Sequence, residues 1–257
     1  MNLPAHNHNP MLHALKQNDA DQMQKLMRQQ PARVHTFLNW PQPWGDEQWM
    51  PLHVAAFLNH TRLITRLLEH NASVDCRTRH PQPTHARATP LHLAAMQGHL
   101  KAVNLLLEHR ASLDVRDADQ LSPLGRAAQA AHPHVVHALI QAGSNLELAD
   151  EQQQTPLHLA IEADAPTANE TALALINAGA NPNATCPNQR HAFTPLHRCV
   201  SLGLTRLPVA RALIQAGSDL AAFDPFHQLT ALQLAQKIHE ASQSDLSDYL
   251  NLLEKSD

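Results

Sequence analysis

Thr89-Pro90-Leu91-His92-Leu93-Ala94-Ala95 decides the fold of this 257-residue chain, because the chain repeats it. Shorter forms stand at Met50-Pro51-Leu52-His53, Ser122-Pro123-Leu124-Gly125, Thr155-Pro156-Leu157-His158 and Thr194-Pro195-Leu196-His197, with a degenerate copy at Thr230-Ala231-Leu232-Gln233. The leucines at 52, 91, 124, 157, 196 and 232 are spaced by 39, 33, 33, 39 and 36 residues. A period in that range means stacked supersecondary units, each burying its apolar face against the next.

Every copy has the same internal order. Thr or Ser at the N-cap is placed to accept a hydrogen bond from a free amide of the first turn, and Pro at the first helical position loses no intrahelical bond. Small apolar residues follow, as in Leu52-His53-Val54-Ala55-Ala56, and their alanines let a neighbouring helix approach closely. A turn at Asn59-His60, Gly98-His99, His132-Pro133 or Gly203 leads into a second helix with apolar residues at three- and four-residue spacing. Val103, Leu106 and Leu107 mark it in one unit, and Val209, Leu213 and Ile214 in another. The second helix ends at Gly143, Gly179 or Gly217, a residue type that accepts a left-handed C-terminal cap. Asn71 stands there in the first unit and tolerates that conformation, whereas Arg110 in the second is expected to be strained.

The Thr-Pro-Leu-His-Leu-Ala-Ala phrase, with Leu105-Leu106-Leu107-Glu108-His109 and Ala111-Ser112-Leu113-Asp114 downstream, resembles the ankyrin repeat family. The resemblance covers roughly residues 49–253, and Thr89 to Asp117 matches at most signature positions. It implies an all-α fold, an ankyrin repeat solenoid of antiparallel helix pairs with projecting β-turn fingers and terminal capping helices. It also implies that His53, His92, His158 and His197 are structural, each imidazole bridging backbone groups within and between units. On this reading residues 1–48 are an N-terminal capping helix pair with a Trp/Pro-rich connector, 49–229 are five repeats, and 230–257 form a degenerate C-terminal cap. Pro10 to Lys16 and Gln22 to Arg28 read as the first capping pair, and Leu246 to Leu253 as the closing helix.

Composition narrows the function. Net charge is −4 with histidine neutral, and no Lys/Arg run is long enough to track phosphates, so neither nucleic acid nor an anionic membrane is the expected partner. No stretch approaches the ~20 apolar residues of a membrane span. The N-terminal residues lack the basic flank and apolar core of a secretory signal. Cys76, Cys186 and Cys199 are odd in number and unpatterned, which suits inert thiols in a reducing compartment, so cytoplasm is the expected location. A monomer without cofactor is expected. Twenty histidines suggest metal. Beyond the four repeat histidines, however, His60 and His99 follow the family's turn habit, and the His134/His137 pair lacks the two further ligands that zinc requires. No glycine loop for phosphate, no paired-carboxylate signature and no nucleophile–base constellation is visible, so no enzymatic activity is expected.

Departures from the repeat mark candidate contact residues. The finger between Asp75 and Thr89 is six residues longer than a 33-residue unit allows and holds Arg77, His80 and Arg87. The finger between Asn183 and Thr194 is three longer and holds Arg190 and Phe193, and the turn across Asp164 to Asn169 is also three longer. Such loops are either solvated variation or enlarged binding surface. Trp40, Trp44 and Trp49 either close the groove before the first repeat or anchor a ligand, as tryptophan does at hot spots. The family's recognition surface, the finger tips and outer positions of each first helix, maps onto Phe57, Leu58, Met96, Gln97, Asp119, Leu121, Gln129, Gln152, Glu162 and Leu202. Phe57, Leu58, Met96 and Leu202 are more apolar than a solvated face needs, which favours a protein or peptide held on the concave face. Gln120 and Gln153 occupy finger positions where the family usually has glycine, leaving finger conformation open. The competing expectations are a metal- or small-molecule-binding regulator and an exported effector using the same surface.

Overall fold

The computed structural model describes residues 10–39, 42–44, 47–78, 86–186, 194–223, 228–242 and 246–255. The chain divides into two compact units, Met1–Pro123 and Leu124–Asp257. Both are built of helix pairs with fingers between them, which is the fold the repeated phrase predicts.

In the first unit, α1 (Pro10–Lys16) and α2 (Ala20–Gln29) pair as the expected N-terminal cap. The Asp19 carboxylate accepts from the Gln22 amide at 2.8 Å to start α2. Two elements then appear where only a connector was expected. α3 (Pro31–Asn39) buries Val34, Phe37 and Leu38. β1 (Gln42–Trp44) and β2 (Glu47–Trp49) pair antiparallel, with Gln42 opposite Trp49 and Trp44 opposite Glu47. Two repeat hairpins follow: α4 (Pro51–Phe57) with α5 (Thr61–Glu69), and α6 (Pro90–Met96) with α7 (Leu100–Glu108). First helices pack on first helices and second on second, α4 on α6 and α5 on α7. Ala55, Ala56, Ala94 and Ala95 are fully enclosed at those faces, where a larger side chain would push the helices apart.

The second unit contains α8 (Pro123–Gln129) with α9 (Pro133–Gln141), α10 (Pro156–Glu162) with α11 (Ala168–Asn177), and α12 (Pro195–Leu202) with α13 (Leu207–Gln215). A single 3₁₀ turn, Leu204–Arg206, joins the last pair. The unit closes with α14 (Ala231–Ser242) and α15 (Ser247–Glu254), where Tyr249 and Leu253 are buried.

A first helix of seven or eight residues leaves its last four carbonyls without intrahelical partners. Amides of the following turn take most of these, as Leu58, His60 and Asn59 do for Val54, Ala55 and Ala56, and the next hairpin supplies side-chain donors at the helix ends. In the first unit His99 Nε2 bonds the Phe57 carbonyl at 2.9 Å, and His60 bonds the Leu15 backbone. In the second unit Thr167 Oγ1 donates to the Ala131 carbonyl at 2.6 Å. Arg206 donates from Nε to Ile161 at 2.8 Å and from Nη2 to Ala163 at 2.7 Å. Tyr249 Oη donates to the Cys199 and Gly203 carbonyls at 3.1 and 3.3 Å.

His53, His92 and His197 each tie a first helix to the finger that follows it. Thr89 N–H donates to His92 Nδ1 at 3.1 Å, so the proton sits on Nε2, which donates to the Leu121 carbonyl at 3.1 Å. His53 has the same tautomer: Nδ1 accepts from Met50 N–H, and Nε2 reaches the Cys76 and Ala88 carbonyls at 2.9 and 3.2 Å. The threonine hydroxyls largely serve the imidazoles, at 2.7 Å for Thr89 and Thr194 and 2.9 Å for Thr155. Hydroxyls also take first-turn amides: Thr194 Oγ1 accepts from His197 N–H at 3.4 Å, and Thr89 accepts from the His92 amide in a capping box. Burial pushes His53 down from 6.5 to about 4, with the carbonyl bonds opposing and the charge of His92 adding to the fall.

Left-handed residues recur with the repeat. After the second helices lie Asn71, Arg110, Gly143, Gly179 and Gly217, and Arg110 holds φ 62° with its side chain exposed. A left-handed residue with a Cβ is strained by roughly 1 kcal/mol or more, part of which glycine returns as unfolded-chain entropy. Arg110→Gly is therefore expected to stabilise the chain by about 0.5–1 kcal/mol, read as a higher urea midpoint, and an unchanged or lower midpoint contradicts the assignment.

His53 also generates a pH dependence. The unfolded chain takes up its proton near 6.5 and the folded chain only near 4, so the contribution is complete above pH 6.5 and is lost as pH falls toward 4. The full effect is about 3 kcal/mol. Urea titrations across that window should show a shallower slope with pH for His53→Gln than for the parent chain; equal slopes would remove His53 as the cause.

Candidate recognition surface

Two elements of each hairpin reach the surface at which a partner could dock: the C-terminal end of the short first helix and the finger before it. In the first unit the bond from His99 to the Phe57 carbonyl holds the ends of α4 and α6 side by side. Phe57, Leu58 and Met96 there are half-buried and Gln97 is exposed. Phe57 packs edge-to-face on Trp49, ring centroids 5.1 Å apart at 71°. Trp49 is only 2% exposed and belongs to the core, which selects groove closure over ligand anchoring for this residue. The β2 strand delivers it to α4, so it closes the groove before the first repeat. Trp44 lies in β1, its side chain outside the described residues, as are Trp40 and His80 entirely.

The fingers share one neck. In the second finger Asp117 N–H donates to the Leu121 carbonyl, while the Asp117 carboxylate accepts from the Asp119 and Leu121 amides at 3.0 Å. In the first finger Thr78 takes that place: its amide donates to the Ala88 carbonyl at 2.9 Å and its hydroxyl accepts from Ala88 N–H at 3.0 Å. Residues 79–85, between the two sides of this neck, lie outside the described residues. Arg77 and Arg87 flank that neck and are exposed; Asp119 is half-buried. Leu121 is 2% exposed, so the expectation that it meets a partner is corrected. As the residue before an inward-facing Ser122, it fills the space beneath the finger.

In the second unit, the finger at Asp150 repeats the Asp117 geometry, its carboxylate accepting from Gln152 and Gln154 amides at 2.9 and 2.8 Å. Gln153, like Gln120, keeps the left-handed corner, φ 63° and 61°, so replacing glycine does not change finger conformation. The Gln152 side chain is exposed, and Gln129 is exposed while accepting from Arg126 Nη1 at 3.3 Å. Glu162 is engaged by Arg198 across neighbouring first helices, Nε to Oε1 at 2.9 Å. Leu202 is 38% exposed, as expected, and sequence reading missed its neighbour Leu204 at 44% and Phe223 at 58%. Apolar residues on both sides of Gly203 were the available signal for Leu204. Arg190 and Phe193 lie outside the described residues.

The three thiols lie away from this surface. Cys76, Cys186 and Cys199 are free and buried. Burial first, then the charge of Asp75, pushes Cys76 up to about 12. Burial, with Glu162 and Asp150, pushes Cys186 to about 12, and burial drives Cys199 higher still. Among the described residues no group of three His, Cys, Asp or Glu side chains is arranged to hold a metal ion, and no helix is long and apolar enough to cross a membrane.

The comparisons agree on the fold. A family model described as ankyrin repeats in three copies matches residues 6–117 and again 111–186. The ankyrin repeat domain of Bcl-3, of the IkappaB family, superposes with a TM-score of 0.76 at 23% identity, covering 96% of this chain and 99% of its own. The human ASB11 ankyrin repeat domain gives 0.71 at 24% identity, over 97% and 98%. No curated protein sequence matches the chain.

The buried thiols lead to a direct expectation. An aromatic disulfide reagent should leave all three cysteines of the native chain untouched and titrate three equivalents only after denaturation. Rapid native labelling of any one of them would contradict their burial.

Proposed function

The chain belongs to the ankyrin repeat family, and on that footing we propose that it is a non-catalytic recognition module for a protein or peptide partner. The observation that carries the reading is apolar surface at the ends of rigid first helices. Leu58 and Met96 lie half-buried at the ends of the packed helices α4 and α6 in the first unit, and Leu202 and Leu204 are exposed in the second. A soluble chain gains nothing from leaving such residues to water, and they recur where the hairpins are held from both sides. Held backbones also reduce the ordering cost of association. Ankyrin repeat domains in general bind proteins, and the fingers here differ in length and charge, which is where specificity between partners would lie. Thiols held protonated, as burial holds these three, favour binding over nucleophilic chemistry, and three unpaired cysteines fit work in a reducing compartment such as the cytoplasm.

The test is affinity capture with the full-length chain, followed by titration of each captured protein against charged substitutions at the helix ends. Leu58→Asp with Met96→Asp, or Leu202→Asp with Leu204→Asp, is expected to weaken a genuine partner at least tenfold while the chain remains folded. A partner indifferent to both pairs would place recognition elsewhere.

A further inference from the structure

The left-handed corner of each described finger carries a long polar side chain where glycine would fit without strain. In the first unit these are Arg87, φ 59°, and Gln120, φ 61°. The two corners stand on adjacent fingers that are joined, since Ala118 N–H donates to the Ala86 carbonyl at 2.9 Å. Neither side chain repays the strain within the fold: among the described residues, the Arg87 guanidinium and the Gln120 amide group find no hydrogen-bond or ion-pair partner. Arg77 is likewise exposed and unpaired among them, and the neck bond from Arg87 N–H to the Thr78 carbonyl brings its chain position alongside Arg87. The nearby carboxylates are engaged elsewhere. Asp75 accepts from the Ser112 amide and hydroxyl at 2.9 and 2.6 Å, and Asp117 accepts from the amides of its own finger. Two uncompensated guanidiniums at one neck repel each other unless an anion lies between or across them.

We propose that Arg77, Arg87 and Gln120 form a contact row that reads an acidic segment of the protein partner, a deepening of the recognition reading above on which it rests. The fold sets the spacing of that segment. Arg87 lies two residues before the Thr89 cap of α6, and Met96 ends that helix. Seven helical residues span about 10 Å, which an extended peptide covers in about three residues. The recognised segment therefore places Asp or Glu three or four positions from a Leu, Met or Phe that meets Leu58 and Met96. Carboxylates match the forked guanidinium donors, and the Gln120 amide completes the row with either a donor or an acceptor.

The experiment is selection of a random dodecapeptide library on the immobilised full-length chain. Single-stranded poly-uridine RNA and phosphatidylserine vesicles serve as parallel anionic probes. Enriched peptides are expected to carry an acidic residue three or four positions from a large apolar one. Arg77→Ala and Arg87→Gly should each weaken the best of them about tenfold, the effect of one charge-assisted hydrogen bond. Arg87→Gly and Gln120→Gly should at the same time hold or raise the melting temperature, a divergence of stability and binding that a purely structural corner cannot produce. Enriched peptides without acidic residues, or binding lost in Leu58→Asp but indifferent to Arg77→Ala and Arg87→Gly, would overturn the acidic row and leave the recognition module standing. No enrichment, or arginine-dependent binding of the RNA or vesicles in place of peptide, would overturn both.

Discussion

A seven-residue helix has more carbonyls without intrahelical partners than with them, and everything else in these hairpins follows from having to satisfy the surplus. Backbone amides of the following turn take most of these carbonyls, and the remaining donors are side chains of the next hairpin. They are chemically unlike one another: an imidazole at His99, a hydroxyl at Thr167, a guanidinium at Arg206 and a phenol at Tyr249. What they share is position, the turn or helix facing the preceding C-terminus. The end of each such first helix is thus tied to the hairpin that follows, and Tyr249 does this for α12.

A second set of bonds runs from the repeat histidines to the finger carbonyls, and a third crosses at the finger bases. Asp75 takes Ser112, Glu147 takes the Asn181 amide at 2.8 Å, and Asn183 takes the Asp219 amide at 2.8 Å. A neutral imidazole suits this work because one nitrogen accepts while the other donates, and burial keeps His53 neutral. The cost is paid in acid, where a protonated imidazole has lost its acceptor.

The sequence made the periodic part legible and little else. His53, His92 and His197 could be read because Thr-Pro-Leu-His recurs in register, and the recurrence itself implies a shared backbone target. Arg206 and Tyr249 could not be, since each acts once and breaks the pattern of its neighbours. α3 escaped notice because Val34, Phe37 and Leu38 supply too short an apolar face to stand out beside proline and tryptophan. Leu121 stands at a family finger position, yet the finger neck turns it inward; for Trp49 both burial and exposure fit the sequence, and the β1–β2 hairpin decides for burial. Leu58 and Met96 follow the enclosed alanines of their helices, and Leu202 follows the enclosed Cys199 and Val200, where the packed face has ended.

The dependence of one hairpin on the next is tested most directly by native-state hydrogen exchange on Arg206→Met in the full-length chain. The substitution keeps an unbranched apolar stem and removes the donors to Ile161, Ala163 and Asn169. If hairpins complete one another, amide protection should fall together in α10–α11 and in α12–α13. Protection lost only in the 3₁₀ turn around residue 206, with α10 unchanged, would contradict it.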